Sequence, residues 1–264
     1  DLADIHNHLV PGVDDGARTL AESLHYLRAL AADGVTRLAV SPHLDGRLAH
    51  EPGAARERLD RLRAGFRELR RGCAADDHGD TGGERLPELV FSQEVLVPDA
   101  HTARRILAER GVGIGKTRFV LIEFGFELGR DPLGVVRTVL EAGRWPIIAH
   151  PERYRREHGH VTFDEIGSWK EAGALLQVNG GSVLGSYGEE VEALSWRLLG
   201  AGLADLIATD HHAAARPVSP AEVGRRLAAR GAGRQARLLL SENPQRVLRG
   251  EEPLPVAPHR GRAA

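Results

Sequence analysis

The sequence lacks several features that mark whole classes of protein. It holds one cysteine, Cys73, among 264 residues, so an internal disulfide is impossible and a reducing compartment is the simplest inference. No stretch approaches the roughly 18 consecutive apolar residues that indicate a membrane-spanning helix. The sequence starts at Asp1 rather than Met, and its first residues lack the regions of a signal peptide. These absences predict a cytoplasmic protein that does not insert into membranes.

Neither positive nor negative charge is in large excess. A formal net charge of -2 and an isoelectric point near 6.7 leave no global basic field that would attract nucleic acid or acidic lipid. No nucleic-acid partner is therefore expected, and any bound anion must be held by a local group of side chains. With 42% hydrophobic residues, the chain suits a single α/β domain over residues 1–264.

Short apolar, β-branched segments alternate with longer amphipathic ones along most of the chain. This alternation predicts βα units with a parallel sheet, rather than a sandwich or a helical bundle. Seven segments are close to the number of strands in a closed barrel. The predicted strands lie at residues 2–6, 36–41, 89–95, 118–124, 145–149, 174–179 and 204–209.

Local signals specify two helices and two irregular segments. Thr19 and Glu22 form a capping box, and Gly34 is expected to end the helix that starts there. Residues 52–72 are predicted to form a solvated helix, residues 74–86 a mobile loop, and the tail after residue 251 is expected to fray. The predicted apolar faces are Leu20, Leu24, Leu27 and Ala31 in the first helix and Leu59, Leu62, Phe66 and Leu69 in the second.

Side chains that can bind metals follow almost every predicted strand. The strand ends read DIHNH, VSPH, SQE, LIEF, IAHPER, QVN and ATDHH. Because the carboxyl ends of parallel strands converge at one mouth of a barrel, side chains distant in sequence are expected to meet there. The predicted ligands are His6, His8, His43, Glu94, Glu123, His150, Asp210 and His212, with Asp15 supplied by the loop after the first strand.

The types of side chain in this set indicate which metals fit. His6 and His8 are two residues apart, so the period of a strand places both imidazoles on one side, and Asp210 with His212 repeats the spacing. Five imidazoles and four carboxylates without sulfur suit Mn, Fe or Zn better than Ca or Mg. Nine ligands are too many for one ion, which predicts two or three metals that share a carboxylate.

Each of these residues also has an ordinary structural interpretation. A single histidine at a strand end, such as His43, is more often a hydrogen-bonded structural residue than a ligand, so the hypothesis depends on the whole set occurring together. Arg153 and Arg216 lie in loops of the predicted mouth and are either solvated or form a clamp for phosphate. His211 points the other way along its strand and is assigned no role.

Specific motifs add a family resemblance to this interpretation. They are DIHNHLVPGVDDG, SPH, QE, LIEF, AHPERY, LLQVNGGSVLG, TDHH and ENPQRVLRG. From Asp4 to Gly250 the chain resembles the PHP family of metal-dependent phosphoesterases, and in particular its bacterial protein-tyrosine phosphatase branch, associated with capsule and exopolysaccharide synthesis. The resemblance implies a distorted seven-stranded TIM-like barrel with three metals, usually Mn²⁺, with Fe or Zn as alternatives.

The same resemblance implies roles for individual residues. His6, His8 and Asp210 would hold the first metal, and Glu94 would bridge it to the second. Arg153 and Arg216 would bind the substrate phosphate, on phosphotyrosine in the tail of a bacterial tyrosine kinase. The hypothesis for the reaction is in-line attack by a metal-bridging hydroxide. The remaining implied ligands are Glu123 and His150 for the second metal and Asp15, His43 and His212 for the third.

The chain departs from the family pattern in four respects. The residue at the position of His211 in TDHH is usually smaller or apolar in the family, and the loop that leads to Arg216 is slightly shorter here. LIEFGF replaces LIEFPF, and residues 74–86 have no counterpart.

Other functions stay open. One alternative is a phosphoesterase for a small phosphomonoester such as histidinol phosphate, and another is a non-catalytic metal-binding scaffold. An amidohydrolase is disfavoured because that fold centres on lysine and the chain has only Lys116 and Lys170. Cys73 lacks the phosphate loop of a thiol phosphatase.

Overall fold

The computed structural model describes residues 1–77, 85–129 and 131–259, and its central strands are parallel. The strands are β1 (Leu2–Asp4), β2 (Val35–Val40), β3 (His43–Asp45), β4 (Glu88–Phe91), β5 (Glu94–Leu96), β6 (Phe119–Glu123), β7 (Trp145–Ala149), β8 (Arg155–Arg156), β9 (Gly159–His160), β10 (Leu175–Asn179) and β11 (Leu206–Ala208). The helices are α1 (Leu20–Ala32), α2 (Ala54–Asp77), α3 (Ala100–Leu107), α4 (Pro132–Glu141), α5 (Phe163–Glu171), α6 (Gly180–Val183), α7 (Glu189–Gly200), α8 (Pro220–Ala229), α9 (Gly233–Arg237) and α10 (Asn243–Arg249).

The parallel strands form two sheets in the described part of the chain. One has the order β1-β2-β4 and the other the order β11-β10-β7-β6-β5-β3, while β8 and β9 form a separate antiparallel pair. A parallel bridge between Asn7 and His211 joins the chain after β1 to the chain after β11. The α/β class is thus confirmed, but a closed seven-stranded sheet is not found among these residues, so the predicted barrel is not confirmed.

One predicted strand is followed by a short strand that was not predicted, and another is divided into two. The segment predicted at 36–41 forms β2, and after a break β3 follows at His43–Asp45; the segment predicted at 89–95 forms β4 and β5. Pro42 lies in the first break and has no N–H to continue a ladder. The Glu94 N–H donates at 3.2 Å to both the Ser41 and the Pro42 carbonyl. His43 and Glu94 are the first residues of the strands that follow these breaks.

The two predicted helices form with the predicted faces inward. The Thr19 hydroxyl accepts a hydrogen bond from the Glu22 N–H at 3.2 Å, and the Glu22 carboxylate accepts one from the Arg18 N–H at 2.9 Å. In α1, Leu27 and Ala31 are buried and Leu20 and Leu24 partly so; in α2, Leu59, Leu62, Phe66 and Leu69 are all buried. Residues 74–77 continue α2 instead of forming a loop, and 78–84 lie outside the described residues.

The segment after α10 is held against the rest of the chain as far as residue 259. The Asn243 amide donates to the Leu254 carbonyl at 3.0 Å, and the Gln235 amide donates to the Ala257 carbonyl at 2.9 Å. Val256 is buried. These contacts differ from the frayed tail expected from the sequence. Within the described residues, no helix has both the length and the apolar character needed to cross a membrane.

Candidate metal and phosphate site

A cavity of about 310 Å³ lies at the carboxyl ends of the parallel strands. Nine of the eleven predicted site residues line it. The other two, His6 and His8, are fully buried, and their Nε2 atoms lie 3.3 and 3.4 Å from a Glu94 oxygen. The lining residues are Asp15, His43, Glu94, Glu123, Phe126, His150, Arg153, Asp210, His212, Ala215 and Arg216.

The donor atoms of these side chains form three groups that could each hold a metal ion. Within each group all donor atoms lie within 4.8 Å of one another. His150 is in none of the groups, but its Nε2 is 2.8 Å from the Glu94 carboxylate. The groups are His6, His8, Glu94 and Asp210; His43, Glu94 and Glu123; and His8, Asp15, His43 and His212.

Two residues that the sequence interpretation missed fix the orientation of the buried imidazoles. The Gln177 side-chain oxygen lies 2.8 Å from His6 Nδ1, and an Asp14 oxygen lies 2.8 Å from His8 Nδ1. A metal-binding histidine usually donates its second ring N–H to such a partner, which sets its tautomer and raises its basicity. His211 was assigned no role from the sequence. The centroid of its ring lies 4.8 Å from that of the Tyr26 ring, away from this cluster.

The loop after β1 folds back over the strand and places Asp14 beside His8 and Asp15 beside His43. The Ala17 N–H donates to the His8 carbonyl at 2.9 Å. A Cβ at Gly16 would lie 1.9 Å from that carbonyl oxygen, so only glycine permits this close approach. Asp14 in turn accepts hydrogen bonds from the Gly16 and His43 N–H groups. The DDG sequence therefore builds a rigid support that carries Asp15 beside His43 and His212.

Two site residues adopt a backbone conformation that side chains disfavour. Among the described residues, His150 (φ 34°), Asp210 (φ 49°) and Ala213 (φ 47°) are the non-glycine residues with positive φ. His150 directly follows β7, and Asp210 lies two residues after β11. Such strain costs on the order of 1–3 kcal/mol per residue and persists only where the surrounding structure enforces it. The positive φ turns the side chains of His150 and Asp210 toward the cavity after β7 and β11.

The carboxylates of this buried cluster raise the pKa values of several neighbouring histidines. Burial acts to lower the pKa of His43, but contacts with Asp15 and Glu94 outweigh it and raise the pKa to about 10. The pKa values of His6 and His8 are likewise raised against the effect of burial. Burial, together with the neighbouring Glu94, raises the pKa of Glu123 to about 8. The carboxylates thus favour positive charge on the histidines that they contact, whereas burial lowers the pKa of His212 to about 3.

The donor set fits divalent cations. Among the described side chains, the buried Glu94 Oε2 and His212 Nε2 atoms make no hydrogen bond of good geometry, although another ligand atom lies 3.3 Å from each, and poorly satisfied buried atoms are costly. The His6 and His8 Nε2 atoms face each other at 3.3 Å. Nitrogen and oxygen donors that converge in this way suit Mn, Fe or Zn. Cations bound in the separate donor groups would satisfy these atoms.

Both predicted arginines reach the rim of the cavity. An Arg153 nitrogen lies 2.6 Å from an Asp210 oxygen, and its guanidinium lies over the rings of Phe126 and Tyr187, 4.9 and 4.2 Å from their centroids. An Arg216 nitrogen lies 3.5 Å from an Asp15 oxygen. Guanidinium groups bind phosphate oxygens through paired N–H donors. The cavity therefore combines side chains that could hold metal ions with two guanidinium groups.

The chain matches known proteins over most of its length. A family model described as capsular polysaccharide synthesis, CpsB/CapC, matches residues 2–249. The chain belongs to the CpsB/CapC family. The tyrosine-protein phosphatase YwqE of Bacillus subtilis is 29% identical over 215 residues, 80% of this chain and 77% of that protein. The tyrosine-protein phosphatase CpsB of Streptococcus agalactiae is 23% identical over 267 residues, 94% of this chain and 98% of that one.

Solved structures agree with this membership of the CpsB/CapC family. A chain from the crystal structures of YwqE from Bacillus subtilis and CpsB from Streptococcus pneumoniae, metal-dependent tyrosine phosphatases, matches with a TM-score of 0.76 and 27% identity. The match covers 98% of this chain and 100% of that chain. The phosphotriesterase of Mycobacterium tuberculosis, with a TM-score of 0.53 and 14% identity, shares the fold alone.

Proposed function

We propose that this protein is a metal-dependent protein-tyrosine phosphatase that acts on phosphotyrosine of a bacterial tyrosine kinase in capsule or exopolysaccharide regulation. The observation that carries the proposal is the convergence of imidazoles, carboxylates and two arginines on one cavity in a chain of the CpsB/CapC family. The relatives YwqE and CpsB are named tyrosine-protein phosphatases.

Nine side chains are proposed to hold three cations, with Mn²⁺ preferred and Fe or Zn as alternatives. The proposal gives His6, His8 and Asp210 to one metal, with Glu94 bridging. The grouping of these four side chains within 4.8 Å supports that part directly. Glu123 and His150 are assigned to the second metal, supported by the contact of His150 with Glu94. The third set is Asp15, His43 and His212, which lie together with His8.

Metal ions bound there would polarise the phosphoryl oxygens and lower the pKa of a bound water toward neutrality. The side chains of the chain position the substrate. Arg153 and Arg216 are placed to bind the non-bridging oxygens of a phosphate in the cavity and to offset charge as the ester bond breaks. Asp210 and the two aromatic rings hold Arg153 in place before substrate arrives. Preorganisation of this kind removes an ordering cost from the reaction.

The same proposal includes a barrel-like closure of the fold around the site. The bridge between Asn7 and His211, and the hydrogen bond from the Asp210 N–H to the His6 carbonyl at 2.8 Å, support it. In such an arrangement the first and last parallel segments are neighbours. The two ligand pairs, His6 with His8 and Asp210 with His212, would then share one face of the cavity.

The test is hydrolysis of a phosphotyrosyl peptide by metal-stripped protein after adding back Mn²⁺, Zn²⁺, Mg²⁺ or no metal. We expect Mn²⁺ to restore turnover in the natural sequence and in the control His25→Ala, which changes an exposed histidine of α1. Turnover should be lost in His43→Ala, and Arg153→Gln should lower it about 100-fold. Hydrolysis of small phosphomonoesters alone would favour a metabolic phosphatase. Metal binding without any hydrolysis would favour a scaffold role.

A further inference from the structure

Phe126 is an exposed phenyl ring at the rim of the cavity. It is 49% exposed, and Leu254, at 37%, is the other large hydrophobic side chain exposed among the described residues. Its neighbour two residues earlier, Phe124, is buried against Tyr154 and Trp169. Exposure of an apolar ring of this size to water is usually unfavourable compared with its burial. The Phe126 ring lies beside Arg153 and His150 and still keeps about half of its surface exposed at the cavity.

The backbone holds this ring in a fixed place. The Arg155 N–H donates to the Phe126 carbonyl at 2.7 Å, and the Leu128 N–H donates to the Arg155 carbonyl at 2.9 Å. These bonds tie the loop after β6 to the loop after β7, which carries Arg153. The Phe126 ring is nearly parallel to the His150 ring, with an interplanar angle of 18° and centroids 6.0 Å apart. The exposed face is thus preorganised beside the candidate metal ligands.

We infer that Phe126 forms a binding surface for the aromatic ring of an aryl phosphate and so favours phosphotyrosine over alkyl phosphate esters. The inference rests on the proposed function. A phosphate held by Arg153 would have its ester substituent one oxygen atom away, and the Arg153 guanidinium lies 4.9 Å from the centre of the Phe126 ring. A planar aryl group can contact that ring in an offset arrangement, whereas the short side chain of phosphoserine cannot cover it.

Tyr187 is the second aromatic ring beside Arg153. Its ring lies 4.2 Å from the guanidinium. A Cβ at Gly181 would lie only 2.9 Å from a ring atom of Tyr187, so the absence of a side chain there lets the ring settle against α6. Tyr187 is more buried than Phe126 and is not part of the cavity lining. It therefore positions Arg153, and Phe126 is left as the ring that faces substrate.

The experiment measures binding of phenylphosphonate and of methylphosphonate to Mn²⁺-loaded protein by calorimetry, alongside hydrolysis of phosphotyrosyl peptide. We expect Phe126→Ala to weaken phenylphosphonate binding about three- to tenfold and to leave methylphosphonate binding unchanged. Phe126→Tyr should retain the preference for the aryl ligand. The control Leu254→Ala, which removes the other exposed hydrophobic side chain, should change neither.

Two outcomes would overturn the inference. An equal loss for both phosphonates would mean that Phe126 acts only by positioning Arg153, and no loss for either would mean that the ring is unused. Thermal unfolding of each variant checks that the fold persists. If the natural sequence hydrolyses no phosphate ester with any metal, the proposed function fails, but the comparison of the two phosphonates still decides whether Phe126 recognises an aryl group.

Discussion

At the scale of single residues, the candidate centre depends on side chains that do not themselves face the cavity. Asp14 is mostly buried, with its side chain 3% exposed, and holds His8 Nδ1, while Gln177 holds His6 Nδ1. Burial acts to raise the pKa of Asp14, but the contact with His8 outweighs it and leaves the pKa lowered. The carboxylate is thus ionised and can keep the His8 ring in one orientation.

Replacing Asp14 tests this role directly. We expect Asp14→Asn to weaken Mn²⁺ binding about 10- to 100-fold, because an amide holds the imidazole less strongly and lowers its basicity. Calorimetric titration of metal-stripped protein measures the change. Asp164→Asn is the matched control, since Asp164 is exposed in the first turn of α5. Unchanged metal affinity in Asp14→Asn would show that the contact with His8 is incidental.

At the scale of elements, most helices begin at a side chain that caps them. The Asp99 carboxylate accepts a hydrogen bond from the Thr102 N–H at 2.7 Å at the start of α3. Burial acts to raise the pKa of Asp99, but hydrogen bonds from Thr102 outweigh it and hold the pKa below its usual range. A lowered pKa in the folded state means that the ionised form stabilises the fold. That contribution is complete above the pKa of the unfolded chain and is lost as pH falls through the lowered value.

The cap of α3 therefore gives a pH-dependent prediction. Asp99→Ala should lower the free energy of unfolding by about 1 kcal/mol at pH 7. The difference from the natural sequence should shrink below about pH 4, where the carboxylate begins to gain a proton. Urea denaturation at pH 7 and pH 3 measures both values. Asp99→Asn, which keeps a capping oxygen without a charge, should retain most of the stability; a loss equal to that of alanine would contradict the capping argument.

At the scale of the whole molecule, the chain after α10 connects distant parts of the fold. Asn243 is fully buried, and its amide donates to the Asp205 and Leu254 carbonyls at 2.9 and 3.0 Å. It also accepts a hydrogen bond from the Leu254 N–H at 2.8 Å. One side chain therefore joins the tail to the residue that precedes β11, the strand that leads to Asp210 and His212.

Removing this junction should destabilise the whole fold. Asn243→Ala leaves buried groups without partners, and we expect it to lower the free energy of unfolding by about 2 kcal/mol. Chemical denaturation followed by circular dichroism measures the loss. Gln245→Ala is a suitable control on the same helix, because the Gln245 amide makes only a 3.4 Å contact with Thr36. Equal stability of the two variants would mean that the tail contributes little to the fold.

The sequence was sufficient to predict what depends on period and on parallel topology. The position of polar residues after successive strands predicted side chains that do line one cavity, and the spacing of His6 and His8 predicted two imidazoles that both lie beside Glu94. Asp14 and Gln177 could not be assigned in this way, because their role depends on how a loop folds back and which neighbouring strand lies beside it. The breaks after β2 and β4 and the positive φ at His150 depend on tertiary contacts that no local pattern contains.

The bridge between Asn7 and His211 also sets the order in which the protein can assemble. A ribosome releases His6 and His8 early, but the segment that pairs with theirs appears only after all eleven strands of the described residues have been made. Pairing between such distant segments is slow to form, because the closing of a long loop precedes any gain from contact. A partly synthesised chain therefore has imidazoles without Asp210 and Arg216. The candidate metal and phosphate site would therefore form late in folding, once the segments after β1 and β11 have paired.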